Sequence, residues 1–146
     1  MIDFIKVKKI RPNAVIPTYG SIGAAGSDLF ACIDHDVVIS AGESAFIPTG
    51  IALQIPCGFA GLIYARSGMA CKRNLAPANK VGVVDSDYRG EIIVVLHNHG
   101  TQEQLVQNGD RIAQLVITPV VTPSFEICDD LSETDRNAGG FGSTGK

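Results

Sequence analysis

The sequence lacks the features that mark several classes of protein. No stretch of its 146 residues approaches the roughly 18 apolar residues of a membrane-spanning helix, and its first ten residues lack the apolar run of a signal peptide. The four cysteines form no CxxC pair, so we expect neither a zinc site nor a disulfide framework, only reduced thiols. A net charge of -3 supplies no basic field for DNA or RNA. These absences predict a cytoplasmic protein without a nucleic-acid polymer or a membrane as partner.

The composition and the short apolar runs of the sequence predict a single packed domain made of strands. The chain is 45% hydrophobic and 18% charged, with 16 glycines and 7 prolines that interrupt short apolar runs. Only residues 68–74 have helical composition. We therefore expect an all-β fold, a distorted jelly-roll or β-barrel of many short strands with one short helix. The runs with strand character are IDFIKVKKI, SDLFACI, DVVI, AFIPTGIALQI, FAGLIYA, KVGVVD, EIIVVLHN, RIAQLVITPVV and SFEI.

Two of these runs predict contacts between subunits. Residues 92–96 are all apolar and do not alternate, so both faces of that strand need cover, and residues 111–121 are similar. A subunit interface is the natural cover. The alternative is a strand enclosed between two sheets of the same subunit.

The segment VVDSDYRGEI, residues 83–92, carries the first candidate site residues. It resembles a hairpin turn in which an apolar strand leads into Asp85, Asp87 and Tyr88. A rigid ring three residues after a carboxylate is the pairing expected if a sugar packs on Tyr88 while Asp85, as a potential base, faces its phosphates. Asp87 is interpreted as a turn-capping residue.

Three further segments offer groups that bind phosphate. ARSGMA places the cation of Arg66, the hydroxyl of Ser67 and the backbone amide of Gly68 in a row, and GDRIAQLV adds the amide of Gln114 at a strand position. The Gly-rich tail, residues 136–146, can wrap phosphate oxygens with its backbone amides. Its side chains contribute the charge of Arg136 and the flat ring of Phe141.

Five segments in this order resemble the trimeric deoxyuridine 5'-triphosphate nucleotidohydrolase (dUTPase) family. They are AAGSDL, ARSGMA, NKVGVVDSDYRGEI, GDRIAQL and RNAGGFGSTGK, and they run from about Asp28 to Lys146. Ala65 and Met69 stand where the family often has Pro and Leu. The resemblance implies a dUTP diphosphatase that forms dUMP and pyrophosphate, limiting uracil incorporation into DNA and supplying dUMP for thymidylate synthesis. It also implies a homotrimer with active sites shared among the subunits.

The resemblance assigns roles around the phosphates. Asp85 is implied as the general base for the water that attacks the α-phosphorus, and Arg66, Ser67, Gly68 and Gln114 as the groups that hold the triphosphate. Mg²⁺ is the implied cofactor, bound on the phosphate oxygens and reached by Asp28 through water.

Around the base and sugar, the resemblance implies that the backbone of the hairpin at residues 81–88, including Val84, reads uracil with the help of Asn79. Tyr88 packs under the deoxyribose. Residues 1–135 would form the catalytic domain, and residues 136–146 a flexible lid in which Phe141 covers the uracil. Arg136 and glycine amides such as that of Gly142 would grip the terminal phosphates. Two alternatives remain: an enzyme like dCTP deaminase, and a non-catalytic sensor of deoxyuridine nucleotides.

Overall fold

The computed structural model describes residues 4–140, which form twelve strands and one short helix. This confirms the predicted all-β class. The strands are β1 (Lys6–Lys9), β2 (Thr18–Tyr19), β3 (Ser27–Phe30), β4 (Val37–Ile39), β5 (Ser44–Pro48), β6 (Ile51–Gln54), β7 (Phe59–Tyr64), β8 (Leu75–Pro77), β9 (Gly82–Val84), β10 (Ile93–Asn98), β11 (Gln104–Val106) and β12 (Arg111–Pro119); the helix is α1 (Ser67–Arg73).

The strands pair antiparallel in two main sheets. The larger sheet has the order β2-β3-β12-β7-β9, and the smaller one has the order β5-β10-β8. The pairs β1-β6 and β4-β11 complete the fold. The core is built mainly of branched aliphatic side chains, and burying each of them fully contributes about 1.5–3 kcal/mol. Its largest fully buried members include Leu29, Ile39, Ile47, Ile51, Ile55, Leu75, Ile92, Leu96 and Ile112.

A glycine divides the apolar run AFIPTGIALQI into β5 and β6. Gly50 has a φ of 70°, which favours glycine, and an added Cβ would stand 2.8 Å from both Ala14 Cβ and Cys32 Sγ. Thr49 fixes the same turn by donating its hydroxyl to the carbonyl of Ile92 at 2.6 Å. Burial raises the pKa of the Cys32 thiol. The described cysteines are all free thiols, as predicted.

Helix α1 begins and ends one residue before the predicted range. Asn74 terminates it in the left-handed conformation, with a φ of 53°, and its backbone N–H donates to the carbonyl of Met69. Met69 is also the one buried side chain of the helix. Burial therefore anchors α1 through one side chain, which belongs to the hydrophobic core. Within residues 4–140, no helix has the length and apolar character to cross a membrane.

The strand predicted at residues 124–127 is wrong for the single chain. From residue 120 to residue 134 the backbone has no strand, because no edge of the same chain pairs with it. Val121, Phe125 and Ile127 are at least 90% exposed there. Apolar side chains in an unpaired segment indicate a surface that something else covers.

Strand β10 is covered on one face only. Val94 and Leu96 point into the core, whereas Ile93 is 45% exposed. On β5 next to it, Phe46 is 74% exposed and pairs with Val95. The enclosed-strand alternative is therefore wrong, because the second face of β10 is open in the single chain. That another subunit covers this face of β10 stays a prediction.

Candidate active site

Three strands bring separate sequence segments to one row of the larger sheet. The register places Asp28 of β3 opposite Gln114 of β12, and Gln114 opposite Tyr64 of β7. Strand β7 ends at Tyr64, so Arg66 follows immediately beyond this row. The AAGSDL, ARSGMA and GDRIAQL segments therefore meet in space although they are far apart along the chain.

An ion pair orients the arginine of this group. The Nε of Arg66 donates to Oδ1 of Asp28 at 2.6 Å, and the two side chains are only 24% and 13% exposed. Arg111 approaches the other carboxylate oxygen at 3.5 Å. Because the short bond uses Nε, it restricts the plane of the guanidinium and leaves the Nη groups available to a ligand. The structure thus gives Asp28 a role in orienting Arg66.

Gln114 supports the backbone before Arg66. Its Nε2 donates to the carbonyl of Ala65 at 2.8 Å, and its side chain lies across Gly26, where an added Cβ would stand 2.6 Å from Oε1. The amide therefore binds the protein in this structure, whereas the sequence predicts contact with the triphosphate. Sequence reasoning missed Gly26, whose place directly before Ser27 and Asp28 was the available signal.

The loop between β9 and β10 does not form the predicted hairpin, because β9 pairs with β7, whereas β10 pairs with β5 and β8. Hydrogen bonds within the loop hold its shape. Arg89 donates from Nη1 to the carbonyls of Ser86 at 2.7 Å and Tyr88 at 2.8 Å, and the Tyr88 N–H donates to the carbonyl of Asp85 at 3.2 Å. Asp85 is exposed, and among residues 4–140 neither its carboxylate nor that of Asp87 accepts a hydrogen bond. The turn-capping role predicted for Asp87 is absent here, because Arg89 binds the loop carbonyls instead.

Tyr88 lies across the backbone of its own loop. Its hydroxyl donates to the carbonyl of Glu91 at 3.0 Å, and 45% of the residue is exposed. A Cβ on Gly90 would stand 2.6 Å from the Cζ of the ring. Glycine at this position therefore allows the ring to lie flat on the loop with its other face open.

Asn79 and Val84 bracket strand β9. The side-chain nitrogen of Asn79 lies beside Gly82, 3.4 Å from where a Cβ would be, and Val84 is buried. Lys80 between them has a φ of 66°. Because the Val84 side chain is in the core, only its main chain is available to a ligand. Both residues therefore present polar groups next to β9.

The two groups of candidate residues are far apart in one chain. Gly61 pairs with Val84, so Asp85 leaves β9 near the start of β7, about four residues from the row that contains Asp28. Asp28 is also three strands away in the sheet order. With about 3.3 Å per residue and 4.8 Å per strand, their Cα atoms are separated by about 19 Å. The Asp28–Arg66 pair and the Asp85 loop thus form two separate half-sites.

The tail contributes one described candidate. Arg136 is exposed, and its Nε donates to the carbonyl of Gly139 at 2.7 Å within a tight turn that includes Asn137 at a φ of 41°. Phe141 and Gly142 lie outside the described residues.

Comparisons with known proteins point to one family. The family model described as dUTPase matches residues 12–145. The deoxyuridine 5'-triphosphate nucleotidohydrolase of Syntrophotalea carbinolica is 49% identical over 141 residues, 97% of this chain and 96% of the relative. The Staphylococcus bacteriophage 80alpha dUTPase, solved with dUpNHpp, has a TM-score of 0.86 at 29% identity, covering 99% of this chain and 100% of that one. A mutant dUTPase of S. aureus phage phi11, whose structure describes the coordination of a structural Mg(II) ion, has a TM-score of 0.81 at 25% identity and covers 90% and 100%.

Proposed function

This chain belongs to the dUTPase family and hydrolyses dUTP to dUMP and pyrophosphate, and we propose that Asp85 is the general base of that reaction. The observation that carries this assignment is the place of Asp85 directly after β9, with an exposed carboxylate that accepts no hydrogen bond from residues 4–140. A carboxylate in that state is available to bind a water molecule and take its proton.

In the proposed step, Asp85 removes a proton from a water molecule as the water oxygen bonds to the α-phosphorus. The bond between the α-phosphorus and the bridging oxygen breaks, and its electron pair leaves with pyrophosphate. The protein forms no covalent bond in this reaction, so its contribution is proton transfer, positioning and electrostatic stabilisation.

The phosphate chain is assigned to the Arg66 half-site. Arg66 supplies a guanidinium whose plane Asp28 fixes at 2.6 Å, Ser67 supplies an exposed hydroxyl, and Gly68 supplies a backbone amide. Gln114 acts indirectly, because its side-chain amide donates to the carbonyl of Ala65, the residue before Arg66. Groups oriented before the substrate arrives lower the barrier because they need not reorganise during the reaction.

The donor set fits the family's Mg²⁺ cofactor. No group of three His, Cys, Asp or Glu side chains that could hold a metal is found among residues 4–140, and Asp28 already faces two arginines. Such a site suits an ion that keeps its waters and binds mainly to phosphate oxygens, with Asp28 approached through water. When bound, Mg²⁺ supplies neutralisation of the phosphate charge.

Selection of the deoxyuridine moiety is assigned to β9 and to the segments directly before and after it. Main-chain groups at residues 81–88, including those of Val84, together with the amide of Asn79, can complement the edge of uracil, and a mismatched edge leaves buried polar groups unpaired. The open face of Tyr88 is the platform for the deoxyribose, and a ring pressed against the sugar excludes a 2′-hydroxyl.

Gly90→Ala is expected to weaken this platform. The added Cβ collides with the Tyr88 ring, which must swing away from the loop. We expect the ratio of kcat/KM for dUTP over UTP to fall by about tenfold, since a pocket of this kind rejects an added hydroxyl by about 10²-fold at most. The matched control is Gly23→Ala, where an added Cβ meets nothing within 4 Å and φ is not positive. An unchanged ratio in Gly90→Ala would remove Tyr88 from sugar selection.

A homotrimer with shared sites is proposed because one chain cannot complete the site. With their Cα atoms about 19 Å apart, the carboxylates of Asp28 and Asp85 do not reach the same phosphate within one chain. Active sites completed by a second copy resolve this separation.

The exposed apolar surfaces support the same assembly. Phe46 and Ile93 form an open sheet face, while Phe125 and Ile127 lie on an unpaired arm, residues 120–134. Strand β1 pairs only with β6 among the described strands and so offers a free edge to such an arm. A groove of about 610 Å³ lies beside this edge. Its lining includes Phe4, Ile5, Val7, Ile16, Tyr19 and Phe59.

The tail is assigned as the closing element. Residues 136–146 follow the exposed arm, and Arg136 carries a guanidinium suited to the terminal phosphates. We also assign Phe141 to cover the uracil and the amide of Gly142 to bind phosphate. In this proposal residues 1–135 form the catalytic domain and residues 136–146 form the lid. Fixing a glycine-rich backbone costs about 1–2 kcal/mol per residue, so closure requires the contacts of the full triphosphate. Location in the cytoplasm stays a prediction.

Pyrophosphate release tests the function directly. The protein is incubated with Mg²⁺ and each deoxynucleoside triphosphate, and the products are identified. We expect dUMP and pyrophosphate from dUTP, with dTTP and dCTP largely unreacted. Ammonia and dUTP formed from dCTP would indicate the deaminase alternative. Binding of dUTP without any pyrophosphate would indicate the sensor.

A further inference from the structure

Helix α1 needs an anchor that its apolar contacts do not supply. The helix begins at Ser67, directly after Arg66, so any tilt of α1 moves both phosphate-binding side chains. Met69 is its one buried residue. A helix of two turns has little intrinsic stability, and most helical stability in proteins comes from packing of an apolar face. Met69, in the hydrophobic core, anchors one turn of α1, so polar contacts are needed to fix the orientation of the rest of the helix.

Arg73, in the last turn, makes the contacts that meet this need. Its Nη1 lies 3.2 Å from Oδ2 of Asp110, its Nη2 donates to the carbonyl of Leu105, and its Nε lies 3.4 Å from Oε1 of Gln104. The side chains of Arg73 and Asp110 are 29% and 31% exposed. One guanidinium thus binds α1 to β11 and to the residue that precedes β12.

Asp110 is itself held firmly. Its carboxylate accepts the backbone N–H of Gln107 at 3.1 Å, and its carbonyl accepts that of Ala31 at 2.8 Å. It directly precedes β12, the central strand of the larger sheet. The same strand carries Gln114, which binds the carbonyl of Ala65 at 2.8 Å. The segment from Ala65 to Arg73 is therefore tied to β12 near both of its ends.

We propose that Arg73 and Asp110 are positioning residues for dUTP hydrolysis: their ion pair fixes α1 against β12, and this fixes Arg66 and Ser67 on the phosphate chain. The inference rests on the proposed role of the Arg66 half-site. Arg73 is not assigned any contact with substrate, and its effect is transmitted through the helix. A misplacement of about 1 Å in such a group can lower catalytic efficiency by about 10²-fold.

The test compares two ligands in Arg73→Met, which keeps the apolar stem and removes the guanidinium. The non-hydrolysable triphosphate dUpNHpp reports on both half-sites, whereas deoxyuridine has no phosphate and reports on the residues that bind the base and the sugar. We expect the Kd for dUpNHpp to rise by about tenfold and that for deoxyuridine to change by less than about twofold. Amide hydrogen exchange at residues 65–74 should quicken. Arg73→Lys, which keeps the charge beside Asp110, should recover most of the affinity.

Arg11→Met is the matched control. Arg11 also binds a carboxylate, Asp34 at 3.5 Å, and a carbonyl, that of Cys32 at 3.2 Å, but it does not contact α1. The Arg11→Met protein should bind dUpNHpp with the same Kd as the unmodified protein. An unchanged Kd in Arg73→Met, or equal losses for both ligands or in both variants, would overturn the proposal. If Arg73→Met does not fold, Asp110→Asn and Arg73→Lys supply the same comparison. Absence of pyrophosphate release by the unmodified protein would instead refute the proposed function.

Discussion

Asp85→Asn is expected to slow dUTP hydrolysis by about two to four orders of magnitude while leaving the affinity for dUpNHpp unchanged. The amide has nearly the shape of the carboxylate but cannot accept a proton from water. Because Asp85 is exposed and accepts no hydrogen bond among residues 4–140, the substitution should not disturb the loop. Steady-state kinetics and titration with dUpNHpp measure the two effects separately.

Asp87→Asn is the matched control for this variant. Asp87 is exposed in the same loop, two residues away, and likewise accepts no hydrogen bond from the described residues. The Asp87→Asn variant should hydrolyse dUTP at close to the normal rate. Near-normal turnover by Asp85→Asn would remove Asp85 from the mechanism, and an equal loss in both variants would indicate that the charge of the loop matters instead of one proton acceptor.

Two inactive variants are expected to restore activity when their subunits are mixed. Arg66→Met damages the phosphate half-site, and Asp85→Asn damages the water-activating half-site, so each homotrimer should be nearly inactive. If every site takes Arg66 from one copy and Asp85 from another, random mixing in equal amounts makes about a quarter of the sites intact. Unfolding and refolding the variants together, followed by a dUTP assay, measures the recovery.

The assembly itself is measured on the same samples. Light scattering should give about three times the 15.4 kDa chain mass for the unmodified protein and for the mixture. An active monomer would refute the shared site. A trimer that stays inactive after mixing would show that both half-sites come from the same chain, brought together by a movement that this structure does not contain.

Local patterns in the sequence predicted local structure well. The strand-rich class and the helix around residues 68–74 follow from spacing and turn residues that act over a few positions. The hairpin predicted at residues 83–92 was wrong, because β9 and β10 pair with strands from elsewhere in the sequence. The division of AFIPTGIALQI did not follow from its apolar pattern. It depends on Gly50 meeting Ala14 and Cys32, which are distant in sequence.

Long-range geometry explains what the sequence could not predict. The Asp28–Arg66 ion pair and the bond from Gln114 to Ala65 depend on the register of β3, β12 and β7. The strand predicted at residues 124–127 failed in the single chain for a different reason. Its composition suits a strand, but a strand forms only when another edge accepts it. The motifs named candidate site residues, and only the register showed that these candidates divide into two groups.

The distance between the two half-sites also bears on how activity first arises after synthesis. A newly made chain would fold with both halves present and yet hold no complete site, since its own Asp85 is too far from its own Asp28. Activity would appear only when copies meet, so its onset would follow bimolecular kinetics and lengthen as the protein becomes scarcer. At low expression, the delay before the first turnover would be set by encounters between chains and not by the chemistry of phosphate cleavage.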